Sequence, residues 1–147
     1  MTLIAELTAQ GLPCRIRKVS LGFLCGYVAV PEGHPLHGLN YSSSVPTPEW
    51  LPGADLGKRG VVPLFIYVSS ADRTNVSLDV LFDVHGGLTY AGTLGGDQWW
   101  FGFDCGHAGD AISPDADCLY RDEAYVRAEC ERLAAQIVAY PQKAEVA

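Results

Sequence analysis

A chain of 147 residues is near the commonest size of a single domain and can bury a core without metals or disulfides to staple it. With 48% hydrophobic and only 18% charged residues, it has the composition of a folded protein and not of a disordered tail. Seventeen acidic against ten basic residues give a net charge of −7, which argues against general nucleic-acid binding but leaves a small anionic ligand open, since two or three well-placed cations suffice for one phosphate group.

The first residues, with Glu6 inside a short apolar stretch, lack the basic and long apolar regions of a secretory signal. No window approaches the ~18 apolar residues needed to span a bilayer. Five cysteines at 14, 25, 105, 118 and 130 form no Cys-x-x-Cys pair and do not read as a disulfide framework; Cys25 and Cys130 read as small buried hydrophobes. The expected compartment is therefore the reducing cytoplasm, with no membrane partner.

In chain order, residues 14–19 read as a short basic strand and residues 21–30 as a longer one, with Leu21, Phe23, Cys25, Tyr27 and Ala29 on one face and Ser20 to Gly22 as the turn between them. Residues 31–60 carry five prolines and five glycines, a long loop or lid around Trp50. Two further strands are expected at 61–68 and 76–84, the first at a sheet edge because of Pro63, and two short ones at 88–91 and 99–103. From Asp122 to Tyr140, Val126, Cys130, Leu133 and Ile137 repeat at spacings of four, three and four, which predicts an amphipathic helix with Asp122 as its N-cap and Pro141 at its end. The pairs Glu123–Arg127 and Arg127–Glu131 lie one turn apart on its outer side. The expected architecture is α+β: one domain over 1–147, a curved, mostly antiparallel sheet of about six strands, and one long C-terminal helix packed on it.

Two segments carry the polar groups that make a site. In Asp83-Val-His-Gly-Gly-Leu-Thr-Tyr-Ala-Gly92, Asp83 and His85 point the same way if the segment is a strand, and Gly86 and Gly87 let the backbone turn or approach a ligand. In Trp99-Trp-Phe-Gly-Phe-Asp-Cys-Gly-His-Ala-Gly-Asp110, the groups Asp104, Cys105, His107 and Asp110 fall just past an aromatic strand, where sites are commonly built on a rigid sheet. Plain structural roles compete with this reading: a hairpin turn at Gly86-Gly87, and an Asp104 carboxylate that caps its own turn. His34 and His37, three apart on a loop, define no metal pair by themselves. The sequence contains no His-Glu-x-x-His and no Gly-x-Ser-x-Gly, and a Cys105–His107 nucleophile pair lacks a visible third group.

The blocks Cys25-Gly-Tyr-Val-Ala-Val-Pro-Glu-Gly-His-Pro-Leu-His-Gly38, His85-Gly-Gly-Leu-Thr-Tyr90, Trp99 to Asp110, and Tyr125-Val-Arg-Ala-Glu-Cys-Glu131 resemble a family of small proteins encoded by phages, prophages and their hosts, for which no reaction is established. The resemblance spans residues 23–40 and 83–138. It implies a protein made inside a bacterial cell by a mobile element, acting by binding: sequestering a defence signal such as a cyclic nucleotide, or blocking a host protein.

These readings lead to a non-catalytic binding protein with a nucleotide-like ligand and no cofactor. The expected ligand-binding residues are Asp83, His85, Gly86, Gly87, Tyr90, Trp99, Trp100, Asp104, His107 and Asp110, with aromatic stacking from Tyr90, Trp99 and Trp100 and phosphate contacts from Arg15, Arg17 or Lys18. His85, Asp104 and His107 are expected within reach of one another. The competing expectation is a metal-dependent hydrolase with Asp83, His85, Asp104, His107 and Asp110 as ligands or base. Self-association is left open.

Overall fold

The computed structural model describes residues 1–48, 75–106, 110–111 and 119–140. Its elements in chain order are β1 (Thr2–Ala9), β2 (Leu12–Lys18), β3 (Leu24–Val30), β4 (Ser44–Pro46), β5 (Asn75–Ser77), α1 (Leu78–Leu81), β6 (Tyr90–Gly92), β7 (Trp99–Asp104) and α2 (Glu123–Ala139). The fold is α+β. Five strands in the order β1-β2-β3-β7-β6 make one sheet with antiparallel pairing throughout, β4 and β5 make a second small sheet, and α2 packs on the large one.

Alternation along the strands sorts the side chains onto two faces. Leu12, Cys14 and Ile16 of β2, Val28 and Val30 of β3, and Phe101 and Phe103 of β7 form the main core with Val126, Cys130, Leu133 and Ile137 of α2. The apolar stripe read from the sequence is thus the buried one. Gly26 is needed for this approach of helix to sheet, because a Cβ there would run into the Phe103 ring and lie 2.9 Å from the Cys130 sulfur. The opposite face carries Cys25, Tyr27, Ala29 and Trp100 in a second, smaller cluster. This face, the open face of the sheet, bears no helix among the described residues.

Three local features depart from the sequence reading. Strand β1 was not expected; it is joined to β2 by a two-residue turn in which Gln10 (φ 53°) and Gly11 (φ 78°) both take positive φ, the hairpin geometry that matches strand twist. Strand β3 starts at Leu24 instead of residue 21, because Val19 and Gly22 close the turn through Gly22 N–H to Val19 O at 2.9 Å, leaving Leu21 exposed. The strand expected at 76–84 is replaced by β5 and the single helical turn α1. Leu78 and Asp79 donate their N–H groups to the carbonyls of Ser43 and Tyr41, so the loop side supplies acceptors that a sheet ladder would otherwise provide. The strand expected at 61–68, Trp50, His107 and Cys118 lie outside the described residues.

Residues 31–43 are held close to the sheet. His34 is buried; its Nδ1 accepts the Leu36 N–H at 3.0 Å, so its Nε2 carries the proton and donates to the Ile137 carbonyl at 2.7 Å. This histidine ties the loop to the last turn of α2.

Candidate functional site

The structure divides the expected site residues that it describes between two groups. The first is built on a polar stripe of α2. Tyr125, Glu129, Arg132 and Gln136 each precede a residue of the apolar stripe by one position, so they repeat with the same spacing and form a second ridge beside it. That ridge clamps the segment after α1. Gln136 accepts from Asp83 N–H and donates to Asp83 O, both at 2.8 Å. Glu129, buried on the helix, accepts the His85 N–H at 2.8 Å and pairs with Arg132 at 2.6 Å, while Arg132 reaches the Asp83 carboxylate at 2.7 Å. Asp83 and His85 therefore lie not on a strand but on a segment whose backbone polar groups are satisfied by helix side chains.

The His85 ring continues this network. Its Nε2 lies 2.7 Å from Asp110 Oδ2 and its Nδ1 2.8 Å from the Tyr125 hydroxyl, and Arg121 Nε binds the other Asp110 oxygen at 3.0 Å. Because the carboxylate only accepts, His85 Nε2 carries a proton, and in the neutral ring Nδ1 accepts from Tyr125. The Asp110 side chain is 2% exposed, and its negative charge is compensated by the Arg121 guanidinium, which is held above its usual basicity by that hydrogen bond and lies 4.7 Å over the Tyr125 ring. Burial raises the Tyr125 phenol, keeping it protonated. An imidazole between a carboxylate and a phenol is a proton-relay geometry, yet here both ring nitrogens are engaged within the protein, so the arrangement fixes the segment in place. Cys105, buried close by, has its thiol pushed up to about 12, first by burial and then by Asp110, which makes it a poor nucleophile at neutral pH.

Gly86 (φ 70°) and Gly87 (φ 77°) then turn the chain, with Gly87 N–H to Val84 O at 2.8 Å, and lead into β6. Of the trio His85, Asp104 and His107, the last lies outside the described residues. Asp104 sits on the open face at the end of β7, where its Oδ1 accepts the Gly106 N–H at 3.0 Å and caps the turn; His85 is bound to Asp110. Among the described residues, no three of His, Cys, Asp and Glu are arranged to hold a metal ion.

The second group is the open face itself. Glu6, Arg15, Tyr27, Gly102 and Tyr90 form one row across four paired strands and β6. Tyr27 lies over Gly102, where a Cβ would come within 2.6 Å of its ring, and meets Tyr90 edge-on at 5.6 Å. The Arg15 guanidinium stacks 4.6 Å from the Trp100 ring centre and pairs with Glu6 at 3.3 Å; Arg17 lies 5.8 Å over Tyr27. Tyr27 and Trp100 are themselves buried, so the arginines, and not the bare rings, meet solvent here. Two adjoining hollows of about 320 and 340 Å3 share Glu6 and Arg15; one runs past Thr8 to Trp100, the other past Leu3 and Arg17 to Leu94. At the end of the sheet, a cleft of about 380 Å3 shares Pro13 and Gln98 with the first hollow and is bounded by Glu32, His37, Asp97 and Trp99. Trp99 points to the other face of the sheet from Trp100, with its Nε1 donating to Leu39 O at 3.1 Å.

The expected site residues thus separate into His85 with Asp110, Asp83 on Arg132, Tyr90, Trp100 and Asp104 on the open face, and Trp99 at the end cleft. Arg121 and Tyr125 were not anticipated as members, although the spacing of residues 121, 125, 129, 132 and 136 makes the polar ridge visible in the sequence. Comparison of the chain with protein-family models, curated proteins and solved structures gives no match. No helix among the described residues is long and apolar enough to cross a membrane.

Proposed function

We propose that the chain is a small-molecule binding protein whose ligand is nucleotide-like and lies along the open face, in the hollows around Arg15 and Arg17. The observation that carries this reading is the pair of guanidinium groups stacked on Trp100 and Tyr27 beside adjoining hollows of ligand size. In an acidic protein, Arg15 and Arg17 together outnumber the single carboxylate, Glu6, that lines these two hollows. Stacking on a ring fixes each guanidinium plane and lowers the ordering cost when its N–H groups take a phosphate. Holding a nucleotide without turnover sequesters it, and the resemblance to phage-encoded proteins suggests a host defence signal as the natural ligand.

The test is calorimetric titration with nucleoside mono- and diphosphates and cyclic dinucleotides, for the native protein and for Arg15→Ala and Arg17→Ala. A charge-assisted contact contributes about 1.5–3 kcal/mol, so each variant should weaken binding about ten- to a hundredfold, and added salt should weaken the native complex. Absence of binding by every nucleotide, or an affinity in both variants unchanged from that of the native protein, overturns the proposal.

A further inference from the structure

The end cleft differs in chemistry from the arginine hollows that it adjoins. Its lining residues include two that carry carboxylates, Glu32 and Asp97, and His37, whose ring has a second nitrogen, Nε2, beyond the one bound within the protein. The state of that nitrogen follows from the other one. His37 Nδ1 lies 2.9 Å from the Val30 carbonyl, which can only accept, so Nδ1 carries the proton and Nε2 of the neutral ring presents a lone pair. One wall is Trp99, whose indole is anchored by Leu39 O and tilted against His37 at 6.3 Å, so that its plane is set before any ligand arrives. Gln98 adds a side-chain amide, with N–H donors as well as an acceptor.

Such a lining selects a flat ring with adjacent N–H donors. Adenine offers one amino group beside a bare ring nitrogen, which a carboxylate repels. Guanine offers its ring N–H and its amino group side by side, a match for one carboxylate accepting two hydrogen bonds, with its carbonyl oxygen left for an amide donor such as Gln98. Pro13, Arg15 and Arg17 alternate along β2 on the open face, so the arginines stand about 7 and 13 Å from the cleft edge at Pro13.

We infer that this cleft is the base subsite of the proposed nucleotide site and that it prefers guanine, with Asp97 and Glu32 reading the base edge and Trp99 stacking on it. The inference rests on the nucleotide reading of the open face. Discrimination comes from donors and acceptors left unpaired by the wrong base.

Titration of the full chain with guanosine, inosine and adenosine monophosphates separates the two proposals. The expected result is at least tenfold tighter binding of the guanosine form than of the adenosine form. The inosine form, which has the ring N–H but no amino group, should fall between them. In a Glu32→Gln, Asp97→Asn double variant, whose substitutions are at exposed positions and spare the core, the preference should shrink to threefold or less. Equal affinity for the guanosine and adenosine forms, or a preference untouched in the double variant, overturns the base assignment alone. Failure of all three to bind overturns the base assignment, and the nucleotide reading falls with it when diphosphates and cyclic dinucleotides also fail to bind.

Discussion

Asp110 is the residue on which the polar cluster turns. Its buried carboxylate holds His85 and Arg121 at once, so removing it leaves two cationic or donor groups without their acceptor. Breaking a buried pair costs about 3–5 kcal/mol, and the partial exposure of His85 and Arg121 places Asp110→Ala at the lower end, about 3 kcal/mol. Urea denaturation measures this directly, and a loss under about 1 kcal/mol would show that the cluster contributes little. His34 gives a pH dependence. Burial holds its pKa below the ordinary 6.5, only partly offset by its bond to Ile137, because protonating Nδ1 charges a buried ring and removes the acceptor for Leu36 N–H. A depressed folded-state pKa means that the unfolded chain takes up the proton first. The stability that His34 contributes is therefore complete above pH ~6.5 and is lost as pH falls through the lower folded value. Between pH 7.5 and 5.5 the urea midpoint of the native protein should fall more than that of His34→Gln; parallel decreases would assign the titration to other groups.

Among the elements, α2 does most to organise the molecule, since one ridge closes the core and the next clamps residues 83–85. Its N-cap is local: Asp122 accepts the Tyr125 N–H at 2.9 Å, so Asp122→Ala should cost about 1 kcal/mol and Asp122→Asn much less, as read from thermal melts. Gln136 acts at long range, satisfying both backbone groups of Asp83; hydrogen exchange at the Asp83 amide should speed up markedly in Gln136→Ala while core amides of β3 stay protected. The helix was legible in the sequence because its apolar spacing, its cap and its Glu123–Arg127 pair are all local signals. Segment 76–84 reads as a strand because Val76, Leu78, Val80 and Phe82 alternate, whereas Ser43 and Tyr41, more than thirty residues earlier, supply the acceptors that favour a helical turn.

For the whole molecule, packing between sheet and helix is close enough that small residues are required. Gly26→Ala should destabilise the fold by about 1–3 kcal/mol, visible as a lower denaturation midpoint, because Phe103 and the Cys130 sulfur must move to admit one methyl group. Sequence alone determined the α+β class, the hairpin of the second and third strands, and the buried stripe of the C-terminal helix, since hydrophobic periodicity and caps act over a few residues. It also marked His85 and Asp110 as polar groups of interest, 25 positions apart. Which partners they take was decided only in three dimensions. The chain brings Asp110 to His85 instead of Asp104, sets Tyr125 and Arg121 around them, and turns Trp99 and Trp100 to opposite faces, placing Arg15 on one of those rings from two strands away. Side-chain pairing of this kind depends on strand order and on the docking of one helix, and neither is encoded by any single stretch of residues.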